Sequence, residues 1–151
     1  MTESLVSKKV AKLAKQAGFN EPCFHVLDVK TNEILTCIRS VTIDENEPIV
    51  EVNLSEFLFK SENLTDNNIL CPSQSLLQKW LRKKHNLNVV PALLFDESPC
   101  AKFEYVPFVI ANNYEYCKGD GTKSFKKAMN KSFEIALAHV LNISNKDKGC
   151  I

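Results

Sequence analysis

Cys71-Pro72-Ser73-Gln74-Ser75-Leu76-Leu77-Gln78-Lys79-Trp80-Leu81-Arg82-Lys83-Lys84-His85-Asn86 is the stretch around which the rest of the chain is ordered. Pro72 and Ser73 form a helix-start signal: proline suits the first turn and serine the cap. A helix is therefore predicted over 73–85, with Asn86 as its stop. Leu76, Leu77, Trp80 and Leu81 fall at i, i+1, i+4 and i+5, which makes one apolar stripe. Lys79, Arg82 and Lys83 lie on the other side. The only tryptophan of the chain sits on that stripe. Core packing is the simpler reading of Trp80, and a stacking platform for a base is the alternative. The cations also have two readings. They complement the negative end of the helix dipole without any ligand, or they form a surface that neutralises phosphates.

Outward from this helix, charge is unevenly spread. Residues 40–70 carry seven acids against Lys60, a net of −6, whereas 73–86 carries four cations and no acid. Residues 118–131 carry five lysines against Asp120, again a net of +4. The whole chain is nearly neutral at +1, so bulk charge predicts no partner. With 151 residues, 44% apolar and only 4 Gly, the composition suits one packed domain and not a disordered segment. The expectation is a single α+β domain over 1–144 with a flexible tail at 145–151. No stretch is long and apolar enough to span a membrane, and no apolar leader follows Met1. A cytoplasmic protein is expected, with no membrane partner.

On the N-terminal side, Val6, Val10, Leu13, Ala14 and Ala17 keep helical spacing over 4–17, with Thr2 or Ser4 as the cap. Gly18 is the left-handed stop, and Phe19 can fold back on the last turn. Two strands, Cys23–Val29 and Glu33–Ile43, follow as a hairpin about Lys30-Thr31-Asn32. Asp44–Pro48 reads as an acidic loop, Ile49–Asn53 as a strand, 54–59 as a helical turn and 61–68 as a polar loop. On the C-terminal side, Asn88–Phe95 and Ala101–Ala111 read as strands about a turn at Asp96–Pro99, and Asn112-Asn113 as a further turn. Pro91 and Pro107 each mark an edge or a bulge. Tyr114–Lys118 is a short strand, and 124–142 a final helix with Phe125, Met129, Phe133 and Leu137 inward. The order is α-β-β-β-α-β-β-β-α, an antiparallel sheet packed by two or three helices, with Leu76, Leu77, Trp80, Leu81, Phe125, Met129, Phe133 and Leu137 as core.

Motifs for chemistry are sparse. Gly119-Asp120-Gly121-Thr122-Lys123-Ser124 precedes a helix and could hold phosphate on backbone N–H groups. It lacks the spacing of a Walker loop or a dinucleotide fingerprint, and glycines in such a turn also have a purely geometric reading. Six cysteines, Cys23, Cys37, Cys71, Cys100, Cys117 and Cys150, form no C-x-x-C pair. They read as reduced thiols, several of them buried. His25 follows Cys23 by two residues, but no second ligand pair accompanies it. No serine sits in a nucleophile signature. No catalytic residue, metal ligand or cofactor is assigned.

Two likenesses add to this. The helix, three strands and helix over 72–140, with the turn and lysines of Gly119–Ala128, resemble a double-stranded-RNA-binding domain. That resemblance implies phosphate contacts from Lys123, Lys126 and Lys127, and a minor-groove approach by Gln78 or Lys79. Pro72–Arg82 also resembles a segment, close to P-T-Q-S-L-L-Q-K-W-L-R-E, of small proteins of gut bacteria and their phages. Ala17–Phe24, with its Gly-Phe and E-P-C-F, and Phe125-Lys126-Lys127-Ala128-Met129 match two further motifs of that group in order. This resemblance implies a phage or prophage source and no particular chemistry. The leading expectation is a non-enzymatic accessory protein that binds a host protein, a small anionic ligand or itself. Nucleic-acid binding is the alternative, and a small enzyme the third. The candidate binding residues are Lys79, Arg82, Lys83, Lys123, Lys126 and Lys127.

Overall fold

In a computed structural model of the chain, residues 4–36, 58–95, 103–111 and 116–145 are described. Within them the order is α1 (Lys8–Gln16), β1 (His25–Asp28), β2 (Glu33–Thr36), β3 (Asn68–Leu70), α2 (Gln74–His85), β4 (Leu87–Val89), β5 (Ala92–Phe95), β6 (Phe103–Val106), β7 (Phe108–Ala111), β8 (Tyr116–Lys118) and α3 (Phe125–Asn145). The fold is α+β, with helices packed on antiparallel strands.

Helix α2 begins where the sequence places it. Ser73 is extended and its Oγ accepts from the Leu76 N–H at 3.2 Å, while Asn86 closes the helix in the left-handed region at φ 55°. Helix α1 begins later than its periodicity implies. Ser7 is its cap, accepting from the Val10 N–H, and residues 4–6 are used elsewhere. Leu5 forms a β-bridge with Ser73, the Val6 N–H donates to the Pro72 carbonyl at 3.1 Å, and the Gln74 N–H donates to the Ser4 carbonyl at 2.9 Å. One bridge therefore fixes the starts of both helices. At the other end of α1, Gly18 takes φ +91°. Its N–H bonds the Lys15 carbonyl, the Phe19 N–H bonds the Ala14 carbonyl, and Phe19 is buried. This is the glycine-dependent double bond of a Schellman stop.

Strand β1 is central in the first sheet, with β2 on one side and β3 on the other, both antiparallel. Strand β3 lies in a region whose sequence reads as polar loop up to Asn68. Only its last residues, Ile69 and Leu70, are buried, so no alternation announces it. The expected features at 37–57, 96–102 and 112–115, and the tail beyond Asn145, lie outside the described residues.

The second half departs from expectation in an instructive way. Each long strand is split, giving five strands where three were expected. Strands β4 and β7 pair with Leu87 opposite Ala111, and β5 and β6 pair with Ala92 opposite Val106. Both halves share one register, which puts Pro91 opposite Pro107. Neither proline has an N–H, so the ladder fails on both strands at the same level. The inner half stays on the helices, where Leu87, Val89 and Val109 are buried. The outer β5–β6 ribbon leaves Leu93, Leu94 and Phe103 exposed.

The core joins Val10, Ala11 and Ala14 of α1, Val26 and Leu27 of β1, Leu77, Trp80 and Leu81 of α2, and Met129, Phe133, Ala136 and Leu137 of α3. Trp80 meets Phe19 edge-to-face at 5.4 Å. Two expected core residues are not in it. Phe125 is 50% exposed, with one side of its ring against Tyr105 of the outer ribbon instead of the core. Leu76 is only half-buried, because it fronts a cleft.

Candidate functional site

The cleft is about 630 Å³, within the usual range for small-ligand sites. Its walls come from the chain before α1 (Leu5), the entry to β1 (Pro22, Phe24 and His25) and the first turns of α2 (Ser73, Ser75, Leu76 and Lys79); Cys23 and Cys71 also line it. The Leu5–Ser73 bridge and the β1–β3 pairing hold these walls together. The Cys71 N–H donates to the His25 carbonyl at 2.9 Å, and Cys23 pairs with Phe59 through both backbone bonds.

Cys23 and Cys71 are both buried and both free thiols. Burial pushes Cys23 up to about 12, with Cys71 and Glu21 adding to the effect, and pushes Cys71 up to about 11. Each therefore stays an uncharged S–H at neutral pH, a weak nucleophile that packs as a small apolar group. The Cys23 thiol donates to the Glu21 carbonyl at 3.3 Å. No group of three His, Cys, Asp or Glu side chains among the described residues could hold a metal ion.

The mouth is different in character. His25 Nδ1 shares a 3.0 Å hydrogen bond with Thr36 Oγ1. In the first turn of α2, the Gln74 N–H is taken by Ser4 and the Leu76 N–H by the cap. The Ser75 N–H has no partner among the described residues, and it stands at the positive end of the α2 dipole. Lys79, one turn on, is exposed and forms no ion pair among the described residues. Apolar walls thus lead to a mouth that holds Lys79, Ser75 and the first turn of α2.

Of the six lysine and arginine residues expected to bind, Lys79 alone lines this cleft. Lys83 joins it at a smaller groove with Glu21, Leu76 and Trp80, and Arg82 is exposed on the same helix. Lys123, Lys126 and Lys127 are exposed about the start of α3, whose first residue, Phe125, meets Tyr105. Gln78 does not face outward: its Nε2 donates to the Val89 carbonyl at 2.7 Å and ties β4 to α2. Sequence reading missed Phe24 and the cysteine pair as site residues. No local pattern in the sequence marks Phe24, and Cys71 comes to face the entry of β1 only once β3 is paired.

No family model, curated protein or solved structure matches this chain.

Proposed function

We propose that this chain is a non-enzymatic accessory protein that binds a small amphipathic anion in the cleft between β1 and α2. The observation that carries the reading is the pairing of apolar walls with a cationic mouth. Leu5, Pro22, Phe24 and Leu76 would take the apolar body of the ligand. Lys79, the Ser75 N–H and the α2 dipole would take its carboxylate or phosphate. The protonated thiols below favour binding over chemistry, since neither supplies a thiolate at neutral pH. The likeness of three motifs to small phage proteins supports a phage or prophage source.

A thermal-shift panel tests the function. Medium-chain carboxylates and alkyl phosphates should raise the melting temperature in a concentration-dependent way. The chain-matched alcohols, which lack the charge, should do so much less, and Lys79→Ala should remove the difference. Equal shifts from acids and alcohols, or none from either, would rule the reading out.

A further inference from the structure

A second surface lies on the β5–β6 ribbon and the start of α3, and its chemistry differs from that of the cleft. Phe103 and Phe125 are 47% and 50% exposed, and Tyr105 stands between them. Phe103 meets Tyr105 edge-to-face with centroids 6.2 Å apart, and Tyr105 meets Phe125 the same way at 5.5 Å. The middle ring is thus braced by its neighbours, while half of each outer ring faces solvent. Leu93, paired with Tyr105 across the ribbon, is exposed on the same face.

Backbone bonds fix this arrangement. The Tyr105 N–H donates to the Thr122 carbonyl at 2.7 Å and the Thr122 N–H donates back at 2.9 Å. That bridge anchors the Gly119–Ser124 turn to β6 and brings the start of α3, with Phe125, against Tyr105. Ser124 Oγ accepts from the Lys127 N–H and caps the helix. Glu104 leans over Gly121, in space that a Cβ there would occupy. Its place in the strand alternation directs it to the ribbon face opposite Phe103 and Tyr105. Lys118, Lys123, Lys126 and Lys127 are exposed and form no ion pair among the described residues; Asp120 is the acid within this run.

We infer that this surface binds single-stranded nucleic acid, with bases against Phe103 and Phe125 and phosphates against Lys123, Lys126 and Lys127. Exposed rings interleaved with cations are what a flexible, unpaired strand needs: a π-face for each base and a charge for the backbone. The lysine fringe disfavours a second copy of the same chain, which would bring like charges together. A duplex offers no free base faces, so the rings would add nothing to its binding.

The test is fluorescence anisotropy of the full chain with labelled oligo(dT) and oligo(U) and with a duplex of matched length, across a salt series. Saturable binding to the single strands at low salt is expected, with a log–log salt slope near −2 for about three phosphate contacts. Phe103→Ala with Phe125→Ala should weaken it about fivefold or more, as lost stacking does. Lys126→Ala with Lys127→Ala should weaken it and flatten the slope, while Lys79→Ala leaves it unchanged. The altered side chains are exposed, and circular dichroism checks that each variant is folded. Absent binding at low salt would overturn the inference. So would equal duplex binding with no effect of the ring substitutions, or sedimentation as a dimer that those substitutions dissociate.

Discussion

Truncating Leu77 and truncating Leu76 should have sharply different consequences, although the two are adjacent and chemically identical. Leu77 is fully buried in the cluster with Trp80, Leu81, Val89, Phe133 and Leu137. Leu77→Ala removes a CH and two methyl groups, about 2.4 kcal/mol at roughly 0.8 kcal/mol per carbon. The cavity left between α2, β4 and α3 adds to that, for a total of about 3–4 kcal/mol. For a chain of this size the melting temperature should fall by roughly 6–15 °C. Leu76 is half-buried and fronts the cleft, so Leu76→Ala loses about 1 kcal/mol and leaves no closed void. Its effect should fall on ligand response instead. Urea denaturation followed by Trp80 fluorescence measures both, since Trp80 is the sole tryptophan. Equal costs for the two substitutions, or a cost under about 1 kcal/mol for Leu77→Ala, would refute the assigned orientation of α2.

Other consequences are as specific. Gly18→Ala places a Cβ on a residue at φ +91° and should cost about 1–2 kcal/mol by chemical denaturation, although open space surrounds the site. Burial, and then the charge of His139, holds His85 below its ordinary range, so the folded state favours the neutral ring. The unfolded chain therefore binds the proton first, and stability present above about pH 6.5 should be lost as pH falls below it. Urea midpoints between pH 7.5 and 5.5 should show this slope, and His85→Gln should reduce it. At pH 8, Cys23 and Cys71 should resist iodoacetamide in the native protein and react in urea, as peptide mapping by mass spectrometry would show. Their thiolate fractions are depressed by factors of about a thousand and a hundred against a free thiol of pKa 9.0.

The parts of this fold that were legible in the sequence are those that local chemistry decides. Ser73, Asn86 and Gly18 end helices by their own hydrogen bonding and backbone freedom, and the stripe of Leu77, Trp80 and Leu81 faces the core as its spacing requires. The parts that were not legible depend on distant partners. Residues 4–6 carry helical periodicity, yet they pair with Pro72–Gln74, and the bridge outweighs the propensity of a few terminal residues. Strand β3 is too short for a pattern. Pro91 and Pro107 were each visible as an interruption, but their coincidence across the ladder required the register. The same holds for the cleft. Lys79 stood out as a cation, whereas its neighbours Leu5, Phe24 and Cys23 are joined to it only by the pairing of β1, β3 and the N-terminal segment.

An amphipathic anion held in the β1–α2 cleft would place its head at the start of α2. The most direct measurement is a titration of the ¹⁵N-labelled chain with dodecanoate, followed by amide chemical shifts. Saturating shifts are expected at Phe24, His25, Ser75, Leu76 and Lys79, led by the Ser75 N–H, which has no partner among the described residues, with Leu93 and Phe103 unmoved. Shifts confined to the β5–β6 ribbon, or none at Ser75 at saturation, would contradict that placement.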